Sequence, residues 1–90
     1  VVISSGSFSR SSSDIIIAAI SSNLEKKKSK YEYRLSIDEQ KFSGLPKPSV
    51  IKLGKIITID KRLVRKQIGY LPQKTIKEII NKISLIIKTP

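Results

Sequence analysis

The sequence predicts a mainly β, α+β domain, a small and strongly bent antiparallel sheet or partial barrel closed by one terminal helix. Short β-branched runs such as VVIS and DIIIAAIS are separated by Ser-, Gly- and Pro-rich turns, the pattern of a small sheet. The segment YEYRLSI alternates apolar and polar residues, as a half-buried strand does. Beyond Pro72 the period changes to isoleucines at three- and four-residue steps, which is helical.

Val1 to Ser4 is the first expected strand. Ser5 to Ser13, with Phe8 as its one large apolar residue, reads as a mobile surface loop whose single charge, Arg10, suits a phosphate or is simply solvated. Asp14 to Ile20 is apolar on both faces and so belongs at the centre of the sheet. Glu25 to Lys30, EKKKSK, is a charged connection able to follow a phosphate backbone or to remain a solvated loop. Tyr31, Tyr33, Leu35 and Ile37 share one face of the next strand. Gly44, Pro46 and Pro48 break the following stretch into a turn-rich link, opened by a single helical turn at Asp38 to Phe42. Strands resume at Ser49 to Asp60, with Gly54 marking a bulge, and a short strand at Gln67 to Leu71 closes the sheet. Pro72 suits a helix entrance because the first turn needs no proline N–H. Ile76, Ile79, Ile80, Ile83, Ile86 and Ile87 then form the apolar stripe, which fits core or dimer contact better than a membrane surface. No repeat or internal boundary is visible, so residues 1–90 read as one domain.

Composition narrows the chemistry. Eighteen Lys and Arg against seven Asp and Glu give a net charge of +11, which favours a polyanion, nucleic acid first, or an acidic protein. With no cysteine and no histidine, disulfides, thiol catalysis, two-histidine ribonuclease chemistry and Ser-His-Asp hydrolysis are excluded. The carboxylates Asp14, Glu25, Glu32, Asp38, Glu39, Asp60 and Glu78 have no metal-ligand spacing, so neither metal nor cofactor is expected. The longest apolar run, Ile15 to Ile20, is far too short to span a bilayer, and no charged segment leads into an apolar one as in a secretory signal. No membrane role is expected, and the cytoplasm is the default location.

VVIS with its polar loop, DIIIAAISSN, GLPKPSVIKLGKIITIDKRL and IGYLP before a final amphipathic helix together resemble the MazF/PemK family of toxin-antitoxin endoribonucleases (mRNA interferases), over essentially the whole chain. The resemblance implies an SH3-like barrel with a C-terminal helix, working as a homodimer and held in check by a cognate antitoxin protein. It implies metal-independent cleavage of single-stranded RNA, in which the substrate's 2′-hydroxyl attacks the adjacent phosphate and leaves a 2′,3′-cyclic phosphate and a 5′-hydroxyl. Ser21 matches the Ser or Thr that ends the AAIS or AAIT strand with its hydroxyl at the scissile phosphate. Ser5 and Ser9 match positions where relatives contact RNA, with Arg10 in the loop beside them, and Lys52 and Lys55 match positions near the groove. Tyr31, Tyr33 and Phe42 are able to stack bases, although their pattern suits the core better.

Two departures accompany the match. Relatives carry an earlier strand and an RP pair just before the strand matched by VVIS, and that arginine is their principal catalytic cation. This chain starts downstream of it, so the expectation is a domain N-terminally incomplete relative to the family, through fragmentation, a start lying outside this sequence, or a shortened gene. Gly54 also stands where some relatives have an acidic residue. Two alternatives follow: a catalytically inactive RNA- or antitoxin-binding remnant, and a toxin of the same fold directed at a protein such as DNA gyrase.

Overall fold

In the computed structural model, which describes residues 1–24 and 29–88, the sheet is organised around its longest strand, Val50–Asp60 (β3). β3 is central because both its edges are used: Asp14–Ser21 (β1) pairs antiparallel on one side and Glu32–Arg34 (β2) on the other. Its first residues are accordingly sealed, Val50 at 1% and Ile51 and Leu53 at 0% exposure. The expected central strand, Asp14 to Ile20, is instead the neighbour of β3. It acquires a partner on its outer edge from Val1 to Ile3, where the Val1 ammonium and Ile3 N–H donate to the Ala18 and Ile16 carbonyls and Ala18 N–H donates to Val1. That segment forms a single bridge, Val2 to Ile17, rather than a full strand.

The bend expected at Gly54 is present. Ala18 opposes Ile56 but Ala19 opposes Lys52, so Leu53, Gly54 and Lys55 are inserted in β3 without partners on β1. An insertion of this kind kinks the ribbon and increases its twist.

β2 is shorter than the alternation suggests because Ser36 ends it. Ser36 Oγ accepts from Glu39 N–H and Glu39 Oε1 accepts from Ser36 N–H, a capping box that starts the helix Ile37–Ser43 (α2). Ile37, placed on the strand's apolar face by the alternation, is therefore helical and 79% exposed. Gly44 closes α2 with φ of 71°, and a Cβ there would collide with the Ile68 carbonyl oxygen. Gly69 lies as tightly against the Ser43 carbonyl. These two glycines let the 64–71 segment run against the end of α2, where Tyr70 N–H donates to the Phe42 carbonyl and the two rings stack 5.4 Å apart. The backbone of Gln67 to Leu71 is thus committed to α2, and the closing strand expected there is absent.

The Ser5 to Ser13 stretch is not simply a loop. Gly6–Ser11 forms a short helix (α1) capped by Ser5, whose Oγ accepts from Phe8 N–H. The C-terminal helix, Gln73–Ile86 (α3), follows Pro72 as expected. Its Ile79 and Ile83 pack with Ala18, Leu35, Ile51 and Leu53 in the core, while Ile80 and Ile87 turn outward, so the stripe is narrower than the sequence alone implies. No described helix is long and apolar enough to cross a membrane.

Candidate functional site

Directly opposed residues of antiparallel strands point to the same face, so the register fixes the surroundings of Ser21. Ser21 opposes Val50, which in turn opposes Arg34; one row back, Ala19 opposes Lys52, which opposes Glu32. Ser21, Lys52, Glu32 and Arg34 therefore stand on one face at one end of the sheet. Ile20, Ile51 and Tyr33 alternate onto the other face. Ile20 and Ile51 there border a mostly apolar hollow of about 490 Å³ that also includes Leu45, Ile68 and Leu71. The larger hollow is thus on the opposite face from Ser21.

Ser21 is the last residue of β1, half-buried, and its Oγ accepts from the Asn23 N–H at 3.1 Å. A serine hydroxyl that accepts one hydrogen bond still has its proton to donate. Ser21 and Asn23 thus form a turn that orients the hydroxyl at the strand's end. An outside oxygen anion is a fitting acceptor for that proton.

Lys52 is close to Ser21 but is not a free cation. Its Nζ is paired with Glu32 Oε2 in a half-buried ion pair, the two side chains 27% and 11% exposed. Lys55, by contrast, is exposed in the β3 insertion with no strand partner on β1.

Ser5, Ser9 and Arg10 lie toward the other end of β1. Ser4 Oγ accepts from Ile16 N–H, which anchors the start of α1 five residues from Ser21, about 17 Å at strand rise. Ser5 Oγ is engaged as the helix cap, Ser9 Oγ lies 3.2 Å from Ser4 Oγ, and Arg10 is exposed. Lys61 ties this region to the end of β3, its Nζ donating to the Ser9 carbonyl and its N–H to the Ser13 carbonyl. Arg10 therefore stands at the opposite end of β1 from Ser21. The lysines of EKKKSK at 26–28 lie outside the described residues. Tyr33 is half-buried with its hydroxyl on Glu39, and Phe42 stacks on Tyr70, so both serve packing; Tyr31 is 51% exposed, with Lys30 Nζ 5.2 Å from its ring centre.

A network missed by the sequence patterns braces the site from behind. Glu39 Oε2 accepts from the Tyr33 hydroxyl at 2.7 Å and from Thr75 Oγ1 at 2.5 Å, joining α2, β2 and α3. Burial, then the hydrogen bond and charge of Glu39, push the Tyr33 phenol far above its ordinary range, so it remains a donor. The capping-box spacing from Ser36 to Glu39 is the one sequence signal that marks Glu39. Among the described residues, no three or more carboxylates gather where they would hold a metal ion.

Comparison with known proteins agrees with this framework. Residues 1–87 match the family model described as PemK-like, MazF-like toxin of type II toxin-antitoxin system. The endoribonuclease MazF of Staphylococcus saprophyticus is 33% identical over 85 residues, covering 94% of this chain and 68% of that protein. Among solved structures, the Mycobacterium tuberculosis toxin MazF-mt6 superposes with a TM-score of 0.77 at 19% identity, over 94% of this chain and 80% of that one. A structure described as an Mtb toxin gives 0.78 at 18% identity, over 97% and 89%. The two structural likenesses establish the fold, and the family match together with the Staphylococcus relative establishes kinship: the chain belongs to the PemK-like, MazF-like family of toxins of type II toxin-antitoxin systems.

Proposed function

We propose that this chain is the toxin of such a system and cleaves single-stranded RNA without a metal. The observation that carries the reading is the Ser21 hydroxyl, fixed at the end of β1 by Asn23 with its proton free to donate. In the proposed reaction the 2′-hydroxyl oxygen bonds to the adjacent phosphorus and gives up its proton. The bond from phosphorus to the 5′-oxygen breaks, that oxygen gains a proton, and a 2′,3′-cyclic phosphate is left. Ser21 donates to a non-bridging phosphate oxygen, holding the phosphate for in-line attack as charge develops on it.

The resemblance assigns the catalytic cation to an arginine that relatives carry before the strand matched by Val1 to Ser4. Val1 pairs antiparallel with Ala18, so any residues that continued this pairing before Val1 would run beside Ala19 toward Ser21. An arginine in the place where relatives carry it would stand next to the Ser21 hydroxyl. Lys55, Ser5, Ser9 and Arg10 contact more distant nucleotides, and Lys52 supports the groove through Glu32. A homodimer blocked by an antitoxin, active in the cytoplasm, completes the proposal.

The test is incubation of the chain, with and without an upstream strand bearing the arginine, with a long unstructured RNA in EDTA. Cleavage to 2′,3′-cyclic phosphate ends that disappears in Ser21→Ala is expected of the longer chain. RNA left intact by both, or cleavage that Ser21→Ala leaves unchanged, would sink the reading.

A further inference from the structure

An open aromatic ring is a platform for an unpaired nucleobase, because every base has a π face. The chain has three tyrosines, two phenylalanines and no tryptophan. Tyr33 is half-buried with its hydroxyl on Glu39, and the Lys30 ammonium lies over the Tyr31 ring. Phe8 sits on the short α1 with no second ring behind it among the described residues. Phe42 and Tyr70 remain, their rings 5.4 Å apart at an interplanar angle of 29°, with Tyr70 still 58% exposed.

This pair is in place before any ligand arrives. Tyr70 N–H donates to the Phe42 carbonyl, and Gly44 and Gly69 bring their two segments closer than a Cβ at either position would allow. Phe42 therefore backs one side of the Tyr70 ring and leaves the other side open. A platform already ordered loses little freedom on binding. Cations flank it as well. Lys66 borders the same hollow as Tyr70 and is the single charged residue of its lining, which holds no carboxylate. Lys41 precedes Phe42 in the last turn of α2. Both lysines are exposed, and neither belongs to the ion pairs among the described residues, Lys52 with Glu32 and Arg62 with Asp60. An open ring between unpaired cations is the composition of a single-strand contact, with a base on the π face and phosphates on the lysines.

We infer that Tyr70, backed by Phe42, is a stacking platform for one unpaired base of RNA, with Lys66 and Lys41 on the flanking phosphates. The inference rests on the reading of single-stranded RNA as the substrate and not on the geometry of Ser21. The hollow that Tyr70 borders lies on the opposite side of the sheet from Ser21. The platform is therefore a second point of attachment for a long RNA, tolerant of sequence as stacking is, and no part of the cleavage site.

The experiment measures binding of a single-stranded RNA bearing 2′-O-methyl groups, which cannot be cleaved, beside the same backbone without bases. Tyr70→Leu keeps an apolar side chain over Phe42 but removes the π face. It is expected to weaken binding of the RNA by about 5- to 150-fold, the range of one stacked base, and to leave binding of the abasic strand unchanged. Tyr70→Phe should keep the wild-type affinity. Lys66→Gln and Lys41→Gln should each lower the slope of log affinity against log salt by about 0.7 on either strand, whereas Tyr70→Leu keeps the wild-type slope. Lys66 is exposed, so Lys66→Gln reports even if Tyr70→Leu disturbs the contact with α2. Equal affinity of wild type and Tyr70→Leu for the RNA, an equal loss on the abasic strand, or unchanged slopes in both Gln variants would overturn the platform. A surface reserved for an acidic protein gives the first of these results. Where cleavage that depends on Ser21 persists alongside any of them, the Ser21 reading stands. RNA that is neither bound nor, when unmodified, cut would overturn both.

Discussion

Glu39→Ala is the most demanding test of how the domain is held together. The substitution removes the acceptor of two hydroxyls and half of a capping box. Thr75, 5% exposed, loses its partner, and an unsatisfied buried hydroxyl costs about 1–3 kcal/mol. Loss of the Ser36 N–H bond to the Glu39 carboxylate contributes about 1 kcal/mol more, while the Ser36 cap itself remains. Tyr33 is partly rescued by Glu78, already 3.5 Å away. The total is about 3 kcal/mol, and at about 4–8 °C per kcal/mol for a domain of this size the midpoint should fall by about 12–24 °C. Glu39→Gln keeps a cap-competent side chain but no charge and should cost about 1 kcal/mol. Burial alone would raise the Glu39 carboxyl; the hydrogen bonds from Ser36, Thr75 and Tyr33 outweigh it and hold the group below its ordinary value. Its contribution is therefore complete above the unfolded carboxyl's pKa and disappears as pH falls through the folded one. Thermal melts followed by circular dichroism across that acid range test both points. A loss under about 1 kcal/mol for Glu39→Ala, or an acid dependence identical in Glu39→Gln and wild type, refutes the brace.

The glycines should behave oppositely in the same melts. Gly44→Ala forces a side chain into a left-handed backbone and against the Ile68 carbonyl oxygen, and should cost at least about 2 kcal/mol. Gly54→Ala meets nothing within 4 Å and should be neutral or stabilising by about 0.5 kcal/mol. Ile79→Ala empties the centre of the core, where Ile79 is 0% exposed, and should cost about 3–4 kcal/mol in denaturant titration. Glu32→Gln releases Lys52, so RNA affinity should rise and its salt slope steepen by about 0.7. An unchanged slope would mean that no RNA phosphate passes within reach of Lys52.

Features governed by local periodicity were legible in the sequence. The isoleucine stripe located α3, the β-branched run located β1, and Gly54 marked the insertion in β3. Other features were set by contacts distant along the chain. Serine-rich α1 shows no helical period; it is held by its Ser5 cap and by Lys61, 52 residues from the Ser9 carbonyl it bonds. The closing strand at Gln67 to Leu71 failed because Gly69 brings that segment against α2, an approach that no propensity encodes. At the candidate site, family resemblance pointed to Ser21, and the strand-ending SSN explains its local geometry. Arg34 and the Glu32–Lys52 pair emerge only from the register.

The β3 insertion is also what decides which charges share a face with Ser21. Had β1 and β3 continued in the register of Ala18 and Ile56, Lys55 would oppose Ala19 and Leu53 would oppose Ser21. The three inserted residues, an odd number, exchange the two faces of β3 beyond them. Lys52 thereby comes onto the Ser21 face, where Glu32 can neutralise it, and Leu53 turns into the core at 0% exposure. Without the insertion, a large apolar side chain would stand opposite the Ser21 hydroxyl. The insertion thus sets buried Val50 there instead, with Arg34 as the partner of Val50 on its other side. Gly54 occupies the middle of this insertion, so what it does for the surroundings of Ser21 is done through register rather than through a side chain.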